Sequence, residues 1–169
     1  MSAVAVFKVG ATTAVGLNAL QTGFLLRAGF PAMAEAPLAN EAGEAITMAF
    51  VPTLDGRLVG AKRLAALARG PFEEAVEPIR EGSAEVHLAI DEGCEEGALA
   101  ADLLEAMVRR AMPGASVSVK ATGEAAPATL LPEAIRALTM RRTDVVVIGG
   151  VHSDYDPRAI AALEASGRL

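Results

Sequence analysis

Two loops hold most of the side chains that could perform nucleophilic or acid–base chemistry. Cys94 lies among four carboxylates in the stretch 91–96, and His152, Ser153 and Asp154 follow a glycine pair. Serine, histidine and aspartate together are the residue types of a hydrolytic triad, but neighbours on one loop rarely reach its geometry. We therefore expect loop polarity and helix capping to explain them. The acidic neighbours disfavour a reactive thiol at Cys94, for which we expect a passive role.

Other kinds of site find little support. A single cysteine excludes an internal disulfide and a cysteine-based zinc site. Asp154 and Asp156 are too few ligands to indicate a metal. The stretch 10–16 lacks the G-x-G-x-x-G spacing of a dinucleotide site. We predict no cofactor and no metal, and a packed or edge position for His87.

Composition narrows the class of protein. The 169 residues are 52% hydrophobic, and the formal charge is −6, from 15 basic and 21 acidic residues. That balance argues against a nucleic-acid partner. No apolar run is long enough to span a membrane, and the first residues lack the pattern of a signal peptide. We expect a cytoplasmic protein.

The elements that would position these side chains alternate between strands and helices. Such alternation predicts an α/β fold with a mostly parallel sheet and helices on both faces. Asp156 and Pro157 predict the start of a last helix. Strands are predicted at 3–9, 45–51, 84–90, 115–120 and 145–148 and a loop at 31–43. Helices are predicted at 15–28, at 60–79 with an interruption near Gly70-Pro71, at 95–111 and at 125–142.

Two details of the helices are open to interpretation. Arg109-Arg110 and Arg141-Arg142 end two of them, where the helix dipole favours positive charge. A docking patch for an acidic carrier protein is the alternative, and we favour the dipole. The helix at 125–142 carries alanine, leucine and isoleucine on nearly every side, which predicts burial on most sides.

Three segments, in this order, resemble the N-terminal half of a β-ketoacyl synthase of the thiolase superfamily. They are VGATTAVG at 9–16, RLAALA at 63–68 and DVVVIGGV at 144–151, the last being the most specific. The resemblance implies a thiolase-like half-domain over residues 1–169, incomplete at its C-terminus. It implies an acyltransferase of fatty acid or polyketide biosynthesis. Because the second half of the family's fold is absent, we expect a fragment of a longer protein.

The resemblance also locates the family's nucleophile. Counting back from Gly149 places Glu124 where the family has its cysteine. A carboxylate cannot replace a thiolate that must form a transferable thioester. Pro127 and Pro132 also lie in the matching helix, where proline breaks a helix or marks its start. We expect the chain to be catalytically inactive alone; the alternative is a non-catalytic dimer partner or acyl-binding scaffold.

Partners follow from the same resemblance. In the family, the strand before the nucleophile helix pairs antiparallel with its copy in a second subunit. The matching strand runs from Ala115 to Lys120. An unpaired edge there would favour association, so we expect a homodimer. An acyl carrier protein or an acyl thioester is the other partner that the resemblance implies.

Overall fold

The computed structural model describes residues 4–79, 83–122 and 126–168. In these ranges, helices and strands alternate along the chain after an initial helix and hairpin. The elements are α1 (Ala19–Arg27), β1 (Met33–Ala39), β2 (Ala45–Ala49), α2 (Gly60–Val76), β3 (Ala84–Ile90), α3 (Gly97–Ala111), β4 (Ser116–Ala121), α4 (Ala126–Thr139), β5 (Val145–Val151) and α5 (Pro157–Ala165).

The three later strands form a parallel sheet in the order β4-β3-β5. In its register Leu88 of β3 lies between Val119 of β4 and Gly149 of β5. Parallel neighbours require crossover connections, which α3 and α4 provide. The predicted α/β class and the parallel sheet are confirmed.

Side-chain alternation along β3 divides the packing between two faces. Val86, Leu88 and Ile90 belong to the main core, which α2 and α3 cover. Ala89 points the other way and packs with Leu130 of α4 and Ile148 of β5. Helices therefore cover both faces of the sheet, as the sequence predicts.

A two-stranded antiparallel hairpin, β1–β2, lies outside this sheet. The prediction of a loop at 31–43 is wrong, because β1 occupies most of it. The pairing register shifts between Ala36 and Ala39, so the strand accommodates Pro37, a residue without an N–H donor. Gly43 adopts φ +82° in the turn, a conformation that glycine tolerates.

The first residues differ from the prediction as well. Residues 4–10 form no strand, although 3–9 is rich in valine. They run beside α2: the Ala11 N–H donates to Glu74 at 3.1 Å, and Lys8 pairs with Glu77 at 3.6 Å. We call residues 4–10 the N-terminal segment.

Two proline-containing helices also correct the sequence interpretation. α2 continues through Pro71. Leu67 and Phe72 on either side of the proline are buried, and this packing offsets the hydrogen bond that proline cannot donate. Pro132 lies inside α4, which it neither breaks nor starts. α4 is buried on one side only, with Leu130, Ala134 and Ala137 facing the sheet, so the prediction of burial on most sides is wrong.

Among the residues that the structure describes, no helix has the length and apolarity needed to cross a bilayer.

Candidate functional site

The candidate polar site lies at the carboxyl ends of β3 and β5, where open parallel sheets usually bind ligands. The loop at 91–96 follows β3 and the loop at 152–156 follows β5. Together with the start of α2 they enclose a cavity of about 170 Å³, lined by Cys94, His152 and six carboxylate or guanidinium side chains: Asp91, Glu95, Glu96, Asp154, Asp156 and Arg158.

Arg158 forms ion pairs with three of the five carboxylates that line this cavity. Its guanidinium lies 3.1 Å from Glu95, 3.5 Å from Glu96 and 3.1 Å from Asp156. The side-chain hydrogen bond and charge of Asp156 raise the pKa of Arg158 above its ordinary value. The same hydrogen bond holds the pKa of Asp156 below its usual range. These carboxylates are therefore used to join the β3 loop to α5.

Two helix starts depend on the same carboxylates. Asp156 is the N-cap of α5, as predicted, and accepts the Arg158 N–H at 2.9 Å. Glu96 accepts the Ala61 N–H at the start of α2 at 2.9 Å. A carboxylate at a helix N-terminus satisfies free N–H groups and opposes the positive end of the dipole. Helix capping thus explains much of the acidity of the two loops.

No nucleophilic triad forms among the described side chains of this site. The two nitrogens of His152 face carboxylates, Nε2 at 3.2 Å from Asp154 and Nδ1 at 3.9 Å from Asp91. The Ser153 hydroxyl instead accepts the Arg63 Nε–H at 3.3 Å. Cys94 lines the cavity but packs against the main core. Loop polarity and capping explain these residues, as the sequence indicated.

Arg63 is the polar residue whose importance the sequence analysis missed. Its side chain is 2% exposed, and its guanidinium lies 3.8 Å from the ring centroid of Tyr155. Burial lowers the pKa of Arg63 from its ordinary value. Stacking of arginine on an aromatic face is favourable and strongest when desolvated. The stack fixes α2 against the loop that leaves β5. Arginine followed by a later tyrosine is too common a pattern to reveal it.

His87 is packed in the middle of β3, one of the two positions expected for it. Its Nε2 lies 3.4 Å from Glu85, and neither ring nitrogen has a hydrogen-bond partner among the described residues. It borders neither the polar cavity nor the larger apolar one beside β5. We assign it no role in the polar site.

The remaining predicted features separate into those the structure places and those it does not. Glu124 lies outside the described residues. Arg109-Arg110 lie in the last turn of α3, as predicted, whereas α4 ends at Thr139 and Arg141-Arg142 lie beyond it. No cluster of three or more metal-ligating side chains occurs in the described ranges.

A second and larger cavity lies beside β5. This cleft has a volume of about 750 Å³, within the usual range for small-molecule sites. Most of its lining comes from β5, from α2 and α4, and from the N-terminal segment. Its apolar walls include Pro71, Phe72, Ala75, Leu131, Ile135 and Leu138. Sequence patterns did not predict this cleft, since it depends on which edge of the sheet stays open.

The chain was compared with models of known families, with curated proteins and with solved structures, and no match was found. Inference about function therefore depends on the geometry of the two cavities.

Proposed function

We propose that this chain is a β-ketoacyl synthase-like protein that is catalytically inactive by itself and acts as a homodimeric scaffold for an acyl chain. The cleft beside β5 is the observation that carries this proposal. The finer assignments belong to the same proposal: a thiolase-like half-domain, a cytoplasmic location and an acyl carrier protein as the source of the acyl group.

The lining of the cleft suits an acyl thioester. Aliphatic side chains of α2, α4 and β5 would cover the acyl chain and remove it from water. The outer edge of β5 has no strand partner among the described residues. Its free N–H and C=O groups could bond the amides of a pantetheine arm, as an edge strand bonds an extended peptide. An acyl thioester joins an apolar chain to an amide-bearing arm, so it fits both the apolar lining of the cleft and the free backbone groups of β5.

The geometry of the polar site argues against nucleophilic catalysis by this chain. Three of the site's five carboxylates, Glu95, Glu96 and Asp156, are bonded to Arg158, and two of these also bond helix starts. Ser153 is bonded to Arg63, and Cys94 packs against the core. A nucleophile needs a general base within hydrogen-bonding reach, and no such pair occurs among the described residues of the site. Retained acyl groups would therefore stay noncovalently bound.

The homodimer is supported by the position of β4. This strand forms one edge of the described sheet, opposite β5. Pairing two copies about a two-fold axis would satisfy both free edges and join the sheets. The contact predicted from Ala115 to Lys120 lies on this strand.

The test of acyl binding is calorimetric titration with dodecanoyl-coenzyme A, using coenzyme A alone as the ligand control. We expect saturable binding of the acylated ligand and at least about tenfold weaker binding of coenzyme A, a difference of about 1.4 kcal/mol. Intact mass after the incubation should be unchanged. Stable acylation of the protein would contradict the inactive assignment, and equal binding of both ligands would contradict an acyl site.

A matched pair of variants locates the site. Ile135 lies in the cleft and is 42% exposed, whereas Leu99 on α3 is 46% exposed and lies outside it. Each tolerates a charge without burial, so Ile135→Asp and Leu99→Asp should both fold. We expect Ile135→Asp to weaken dodecanoyl-coenzyme A binding by about tenfold, because the acyl chain would contact a charge. Leu99→Asp should bind like the wild type.

A further inference from the structure

The N-terminal segment leaves large apolar side chains uncovered. Val6 is 82% exposed and Phe7 is 61% exposed, and both belong to a valine-rich run with the composition of a strand. A run of this kind usually packs against a sheet, because exposed apolar surface is costly in water.

Contacts with α2 fix the direction of the segment. Lys8 pairs with Glu77, and the Ala11 N–H bonds Glu74, so the segment runs antiparallel to α2. The start of α2 lies at the carboxyl end of β5, where Arg63 meets Ser153. α2 therefore runs opposite to β5, and the N-terminal segment runs parallel to β5.

The segment and β5 face each other across the apolar cleft. Both line its walls along their length, from Val4 to Gly10 on one side and from Val145 to Val151 on the other. β5 ends the described sheet, so its outer N–H and C=O groups lack a strand partner there. The N-terminal segment, which is valine-rich and runs parallel to β5, lines the same cleft as this edge.

We propose that residues 4–9 close onto the outer edge of β5 as a fourth parallel strand, and that an acyl chain and this strand exclude each other from the cleft. Closure would cover Val6 and Phe7 and satisfy the edge of β5. The exclusion step rests on the proposed acyl-binding function; closure itself does not.

Gly10 is the fixed end of this movement. A Cβ at Gly10 would collide with the carbonyl oxygen of Pro71, so the backbone lies directly against α2 there. The neighbouring Ala11 is held by Glu74. The segment is thus anchored to α2 at Gly10.

Adjacent proline substitutions test closure, with hydrogen exchange measured by mass spectrometry on the full chain. Consecutive residues of a strand direct their N–H groups to opposite edges. Only one of Val6→Pro and Phe7→Pro can therefore remove a bond to β5. We expect that variant to speed exchange of the β5 amides by about fivefold or more, and its neighbour to match the wild type.

Every other pattern overturns closure. Equal effects of both prolines would indicate local distortion, and no effect of either would indicate that the segment does not pair. Free exchange of residues 5–9 in the wild type would also show that these residues are not paired with β5.

Dodecanoyl-coenzyme A then tests exclusion. The ligand should speed exchange in residues 4–9, and coenzyme A should not. Binding without that change overturns exclusion but leaves acyl binding intact. An absence of binding, together with the alternating proline pattern, overturns the proposed function and leaves closure standing.

Discussion

The strands β4 and β5 form the two edges of the described sheet, and each has unpaired backbone groups on its outer side. They differ in the polarity of their side chains. β4 alternates Val117 and Val119, which pack toward the core, with two serines and Lys120 on its other face. β5 is apolar throughout, from Val145 to Val151. Polar and charged side chains discourage uncontrolled edge pairing. The comparison indicates that β4 is suited to pairing with a specific partner, whereas the apolar β5 is suited to contact with an apolar ligand or another strand.

Electrostatics reinforce this difference. Lys120 of β4 pairs with Glu133 of α4 at 3.2 Å. That hydrogen bond, with the charge of Lys120, lowers the pKa of Glu133 from its ordinary value. β5 carries no ionisable residue. Its edge is therefore compatible with an apolar ligand or strand.

The largest expected effect comes from α4, which connects the two edges and packs on the sheet between them. Ala134 is buried against the sheet, so Ala134→Asp places an unpaired charge in the core. We expect a loss of at least about 2 kcal/mol in unfolding free energy. Leu138→Asp, at a half-buried position, should lose less. Urea denaturation measures both.

Ile135→Asp is the control for this series, since Ile135 is exposed on the same helix. Its unfolding free energy should change by less than about 0.5 kcal/mol. Equal losses in Ala134→Asp and Ile135→Asp would show that α4 does not pack on one side.

The next effect concerns the β4 edge alone. The Thr122 N–H bonds the Ile90 carbonyl of β3, and N–H directions alternate along a strand, so the Val119 N–H points to the free edge of β4. Replacing Val119 with proline removes that N–H, so a dimer formed through this edge should weaken by about tenfold or more. Light scattering at about 100 μM should show a dimer for the wild type, as expected for an interface of standard size. Val119→Thr keeps the N–H and should remain dimeric.

Circular dichroism separates loss of the dimer from loss of the fold in Val119→Pro. A folded, monomeric variant supports the β4 contact. A wild-type protein that is monomeric at this concentration would contradict it.

The smallest effect concerns the loop that leaves β5, where Asp156 caps α5. Asp156→Ala should cost about 1 kcal/mol near neutral pH, a typical value for an N-cap. Because the hydrogen bond from Arg158 lowers the folded-state pKa of Asp156, its carboxylate stabilises the fold above its unfolded pKa of about 3.9. That stabilisation is lost as the pH falls through the lower folded value.

Thermal unfolding between neutral pH and about pH 3 checks the sign, because that range includes the ordinary aspartate pKa. The stability difference between wild type and Asp156→Ala should shrink at the acidic end. Asp156→Asn keeps a capping oxygen without the charge, so it should lie between the two at neutral pH. A difference that grows on acidification would contradict the assigned pKa direction.

Local patterns predicted much of the fold. β3 has the predicted bounds, Ala84–Ile90, because the alternation of its side chains is a local signal. α3 begins two residues later than predicted and ends at Ala111 as predicted, before Pro113. The cap at Asp156 was predicted because an aspartate before a proline is a local signal.

Sequence patterns gave wrong predictions where contacts with another element determine whether a segment is a strand or how a helix is buried. β1 has little strand propensity and contains Pro37, but pairing with β2 supplies its hydrogen bonds. Residues 4–10 have strand composition without a described strand partner. The apolar residues of α4 surround the helix, but the sheet covers only one side of it. In each case propensity is weaker than the tertiary contact that is present or missing.

The sequence by itself determined the α/β class, the position of most helices and strands, and the capping role of Asp156, because these depend on neighbours a few residues apart. Tertiary structure determined which strands lie at the edges of the described sheet, that Arg63 stacks on Tyr155, and that an apolar cleft lies beside β5. These features join residues from distant parts of the chain. Their energies arise from burial and pairing across the fold, which no local pattern records.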